Sequence, residues 1–183
     1  LVPMPAFAVL NRDLPVLAEI NREDHRALDI MPAGSTNENR SRVHGLSVKR
    51  VPAGTTAEDD ARSSLSGLQS VCESNSYGYQ FEQRKESGRG VLLTLCAQLL
   101  PGVPGAMNAD TGATVDISLS YVIDDVAIRV YSIHRQPRWN PQEVTAPMSE
   151  AMVLEVVRML DRSIIFEDID ESALRAAFLM AQS

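Results

Sequence analysis

The chain has 183 residues, 44% of them hydrophobic, and a formal net charge of −7. That is enough chain and apolar content for one packed core, and too apolar for a disordered segment. No apolar run approaches the ~18 residues of a membrane span, and no stretch builds the basic face that a phosphate backbone requires, so neither a membrane span nor a nucleic-acid partner is expected.

Residues 1–43 read as an N-terminal arm and polar linker. Two proline-punctuated apolar pieces come first. Asn21 is placed to cap a short helix through Ile30, and the run PAGSTNENRSR (32–42) is rich in turn formers. Residues 44–183 read as a single α+β domain. Residues 46–51 alternate as a strand. Thr55 and Glu58 have the spacing of a capping box, and the helix behind them puts Ala61, Leu65, Leu68 and Cys72 on one face.

Tyr77, Tyr79 and Phe81 alternate as a strand. Residues 91–98 are apolar on both faces, the mark of a central strand. Residues 101–112 form a long irregular loop. In the next hairpin Val115, Ile117, Leu119, Tyr121 and Ile123 alternate with smaller or polar residues, and Asp124-Asp125 supplies the turn. Folding there pairs Ile123 with Val126, Tyr121 with Ile128 and Leu119 with Val130. The other face carries Ser118, Ser120, Arg129 and Tyr131, and is expected to be wet.

Residues 149–163 form a helix capped by Ser149, with Val153, Val157 and Leu160 as its inner stripe. Met152, Leu154, Val156 and Met159 widen that stripe until apolar contacts nearly surround the helix. A last helix starts at Asp170, with Leu174, Ala177, Phe178 and Ala181 facing in. The fold class is α+β: a central antiparallel sheet in β-α-β-β-β-β-α-α order with flanking helices and an N-terminal arm. The alternative is a sheet with helices on both faces.

Chemistry-bearing residues are sparse. Cys72 and Cys96 are both placed inward and are expected to form a disulfide, the alternative being two buried thiols. His25, His44 and His134 show no metal spacing, and there is no H-E-x-x-H, C-x-x-C, P-loop, G-x-G-x-x-G or G-x-S-x-G. The acidic runs 58–60, 124–125 and 167–171 suit helix starts and turns. Asn108, Asp110 and Asp116 resemble a calcium loop only faintly and lack its distal glutamate. No catalytic residue, metal or cofactor is therefore expected.

One segment stands out as a surface. His134-Arg135-Gln136-Pro137-Arg138-Trp139 is locally basic and carries the only tryptophan. Arg135, Arg138, Trp139 and Tyr131 are the expected partner-binding residues, because tryptophan and arginine dominate binding hot spots. The competing reading has Trp139 closing an open end of the core.

The chain starts at Leu1 and not at a methionine, which is read as residues missing upstream, whether a removed signal peptide or a trimmed start. With the cysteine pair, this places the chain in the periplasm or outside a bacterial cell. The leading expectation is a secreted or periplasmic protein-binding module, of the kind of an inhibitor or toxin-neutralising immunity protein. Its partner would be another protein, and association with a second copy of itself is left open. The alternatives are a hydrolase with a dispersed site near 101–112, and a structural component of an envelope or secretion assembly. The balance is against an enzyme.

Overall fold

The computed structural model describes residues 16–21, 24–30, 41–84, 89–103, 112–142 and 148–161. The elements in chain order are β1 (Val16–Asn21), β2 (His25–Ile30), β3 (Arg42–Arg50), α1 (Ala57–Gln69), β4 (Tyr77–Arg84), β5 (Arg89–Cys96), β6 (Ala113–Ile123), β7 (Val126–Gln136) and α2 (Glu150–Asp161). All strand pairings are antiparallel and build one seven-stranded sheet in the order β1-β2-β3-β7-β6-β5-β4. The protein is therefore α+β.

The β6–β7 hairpin organises the sheet. Its register is Ile123 opposite Val126, Tyr121 opposite Ile128 and Leu119 opposite Val130, with Asp124 at the turn in the left-handed region (φ 55°). β7 then pairs with β3 along its whole length, Leu46 opposite Val130 and Gly45 opposite Tyr131. Because side chains alternate along each strand, this register sorts the residues onto two faces. One carries Leu46, Val115, Ile117, Leu119, Tyr121, Ile128 and Val130. These join Val157 and Leu160 of α2, and Met148, in the main core.

The other face carries Gly90, Leu92, Thr94, Ser118, Ser120, Arg129 and Tyr131, and α1 lies over its β4–β5–β6 part. Ala61 and Leu65 of α1 pack on Leu92, with Tyr77 and Phe81 beside them. Gly90 lets the helix approach: a Cβ there would press on the Phe81 ring and on the Cβ of Ala57. Asp60, almost fully buried, is held from the far side by Lys49 of β3 at 2.6 Å. The helices thus occupy opposite faces, the arrangement that sequence reading held second.

Several expectations need correction. Residues 25–30, expected as the end of a helix, form β2, and its pairing with β3 overrides the helical leaning of the sequence. The cap of α1 sits one residue later than expected. Thr56 accepts from the Asp59 N–H at 3.1 Å, and the Asp59 carboxylate accepts from the Thr56 N–H at 2.9 Å. Thr55 instead donates to the Pro52 carbonyl at 2.6 Å.

The apolar girdle expected around α2 is one-sided. Met159 and Val156 pack inward, while Met152 and Leu154 are exposed. Ser149 does reach the first turn, accepting from the Met152 N–H at 3.3 Å. Of residues 91–98, those to Cys96 belong to β5, one strand in from the edge and not at the centre, and they are apolar on both faces because α1 covers one and the main core the other. The helix expected from Asp170 and the acidic run 167–171 lie outside the described residues, as does most of the 32–42 linker.

Candidate binding site

Cys72 and Cys96 are joined as a disulfide, with Cα atoms 5.8 Å apart. Cys72 lies just beyond α1, where it bridges Leu99, and the pair forms a small core with Leu99, Leu68, Val71 and Tyr77. This clamp ties the end of α1 to β5 and holds that helix on the sheet.

Beside α1 the same sheet face carries a polar network. The Arg129 guanidinium meets the Asp116 carboxylate at 3.1 Å, with side chains 19% and 17% exposed. Arg129 also lies over the Tyr131 ring, 5.4 Å from its centroid. The Tyr131 hydroxyl donates to Asp29 of β2. Four charged or phenolic groups from β2, β6 and β7 are thereby linked, although Asp29 and Tyr131 are 102 residues apart. Gly45 makes the arrangement possible, because a Cβ there would collide with the Tyr131 ring.

The electrostatics follow from burial. Loss of water raises the Asp116 carboxyl above the ordinary aspartate range, and Arg129, by charge and hydrogen bond, opposes this. The Tyr131 phenol is pushed far up, first by burial and then by the charge of Asp29. One oxygen of Asp116 (Oδ1) and the Nε of Arg129 have no hydrogen-bond partner among the described residues. Nor do the hydroxyls of Ser118 and Ser120, both fully buried one register step away. The face expected to be wet is thus largely dry: α1 covers its serines, and only the Asp116–Arg129–Tyr131 strip stays partly open.

A second polar group stands at one end of the opposite face. His134 is buried and its Nε2 lies 2.8 Å from the Ser132 hydroxyl, while the His44 ring stands edge-on at 6.4 Å. Nothing in their sequence spacing relates these two histidines, and the β3–β7 register brings them together.

The four residues expected to bind a partner do not form one surface. Tyr131 and Arg135 point to the α1 face, and the Arg135 Nε is buried. Trp139 packs against the main core, on the other side of the sheet. Arg138 lies against Gly112, where a Cβ would touch its Nε. Of the four, Tyr131 alone belongs to the polar network. Residues 104–111, most of the expected lid loop and of the faint calcium pattern, lie outside the described residues, and Asp116 is engaged by Arg129.

No protein-family model and no curated protein matches the chain. Among solved structures, it is similar to a protein described as a STAR-related lipid transfer protein from Xanthomonas axonopodis. The TM-score is 0.38, with 10% identity over 93% of this chain and 99% of that one. The expected hot-spot residues are divided between two faces of the sheet, and the expectation of a protein-binding module, an inhibitor or immunity protein, is corrected accordingly.

Proposed function

We propose that this chain is a ligand-binding domain of an oxidising, extracytoplasmic compartment, and that it holds a small polar molecule on the α1 face of its sheet. The observation that carries this reading is the Asp116–Arg129 pair. Its side chains are partly open, while Oδ1 of Asp116 and Nε of Arg129 are buried and have no hydrogen-bond partner among the described residues. Polar atoms in so sheltered a place are almost always paired, and leaving one unmade costs about 1–3 kcal/mol. An acceptor and a donor left over on one ion pair suit a guest that carries both a donor and an acceptor and can reach into the strip. Tyr131, anchored to Asp29, forms one wall and holds the guanidinium in place by cation–π contact. Rigid support of this kind lowers the entropy lost on binding. The compartment is supported by the disulfide, a bond that persists where the surroundings are oxidising. No helix among the described residues is long and apolar enough to cross a membrane.

Thermal-shift screening with amino acids, amides, nucleobases and sugars tests the reading. At least one class is expected to raise the Tm of the native chain and to lose that effect in Asp116→Asn, whose fold is checked by circular dichroism. A panel without hits, or a hit indifferent to Asp116→Asn, would overturn it.

A further inference from the structure

The main-core face of the sheet carries a separate cluster that the polar strip does not involve. Arg84, at the end of β4, stands directly opposite Arg89, at the start of β5. Like charges so placed repel, and here both guanidiniums converge on one carboxylate, that of Asp161 at the end of α2. Arg84 meets it at 3.2 Å, and Arg89 is hydrogen-bonded to its other oxygen. The Arg89 guanidinium also covers the Tyr121 ring, 4.9 Å from its centroid. Tyr121 is only 7% exposed, and its hydroxyl has no hydrogen-bond partner among the described residues.

Asp161 as a helix-end anchor explains one arginine and leaves two things over. One is a surplus positive charge among the described residues, on side chains that are 37% and 30% exposed in a chain of net charge −7. The other is a sheltered phenol with no acceptor among the described residues. A bound oxyanion would account for both. We propose that Arg84, Arg89 and Tyr121 form a second binding site, which takes a small oxyanion, a phosphate or carboxylate group. The arginines supply planar forked donors matched to such groups, and the Tyr121 O–H supplies one more from the protein side.

The probes are inorganic phosphate and acetate, each titrated at constant ionic strength against sodium chloride, with Tm as the readout of binding to the folded state. The native chain is expected to gain Tm saturably with at least one of the two, and the tighter one identifies the group as phosphate or carboxylate. Tyr121→Phe removes a hydroxyl with no partner among the described residues and keeps the ring, so it is expected to fold, which circular dichroism checks. It is expected to weaken the apparent affinity about tenfold or more, the scale of one lost hydrogen bond to a charged group. Arg84→Gln is expected to weaken it further. Arg62→Gln, on the other face of the sheet where Arg62 meets Glu58 and Tyr79, should leave it unchanged. No saturable gain with either anion, or a Tyr121→Phe chain that binds as tightly as the native one, would overturn the proposal.

Discussion

Tyr131 of β7 lies across Gly45 of β3, the residue directly opposite it in the sheet, so the ring occupies the space that any larger side chain at 45 would fill. Two further contacts hold the ring there, the hydrogen bond to Asp29 and the Arg129 guanidinium above it. Gly45→Ala must therefore push the ring off both. The expected cost is about 1–3 kcal/mol, the range of an overpacked site, read from urea unfolding. A native-like stability would mean that the ring swings aside freely and is not a fixed wall of the strip.

The disulfide closes a sequence separation of 24 residues. In the chain-entropy treatment a loop of that length is worth about 3–4 kcal/mol. Replacing both cysteines by serine should remove most of that, and DTT should lower the Tm of the native chain to a similar extent. The unreduced, denatured chain should show no thiol toward DTNB. Two reactive thiols would contradict the bond.

The parts of the fold legible in the sequence are those governed by local period. The β6–β7 register follows from alternation, because slipping it by one would turn Leu119 and Ser120 inside out. What the period does not tell is what lies on the second face. Ser118 and Ser120 look like solvent-facing residues, yet they are buried because α1, fifty residues earlier in the chain, crosses over them. The network is equally hidden. Asp29 sits in a stretch whose Ala, Glu, Leu and Arg content favours helix, and only pairing with β3 makes it a strand facing Tyr131. The one local signal was Gly45, since a glycine inside a strand marks a close approach by another group.

Acid should destabilise this protein before its carboxylates titrate. His134 is pushed down to about 4, first by burial and then by the charges of Arg42 and His44. His44 is lowered too, again mainly by burial. A histidine depressed in the folded state binds its proton more readily when unfolded. Its contribution is therefore complete above pH ~6.5 and is lost as pH falls toward 4. For His134 alone that loss reaches about 3 kcal/mol. Asp116 acts with the opposite sign: its raised carboxyl takes up a proton in the folded state first and offsets part of the loss. Urea unfolding between pH 8 and 4 should show the decline, and His134→Gln should flatten it. An unchanged slope in that variant would remove His134 as the cause.

Leu119 and Ser120 are adjacent on β6, both fully buried, and the alternation points them to opposite faces. Leu119 sits in the main core with Ile117, Val130 and Leu160. Truncating it to alanine removes apolar area and leaves a cavity that close packing cannot fully collapse, a cost of about 2–5 kcal/mol. Ser120 lies under α1, opposite Gly90 and Arg129, and its hydroxyl makes no hydrogen bond among the described residues. Ser120→Ala keeps the Cβ that packs there and removes only a desolvated group, so it should leave stability unchanged or raise it slightly. The comparison is informative because burial alone would rank the two residues equally. Chemical denaturation of both variants settles it. A loss of more than about 1 kcal/mol in Ser120→Ala, the worth of one ordinary hydrogen bond, would show that the hydroxyl has a partner. It would then have to be counted among the groups that hold α1 on the sheet.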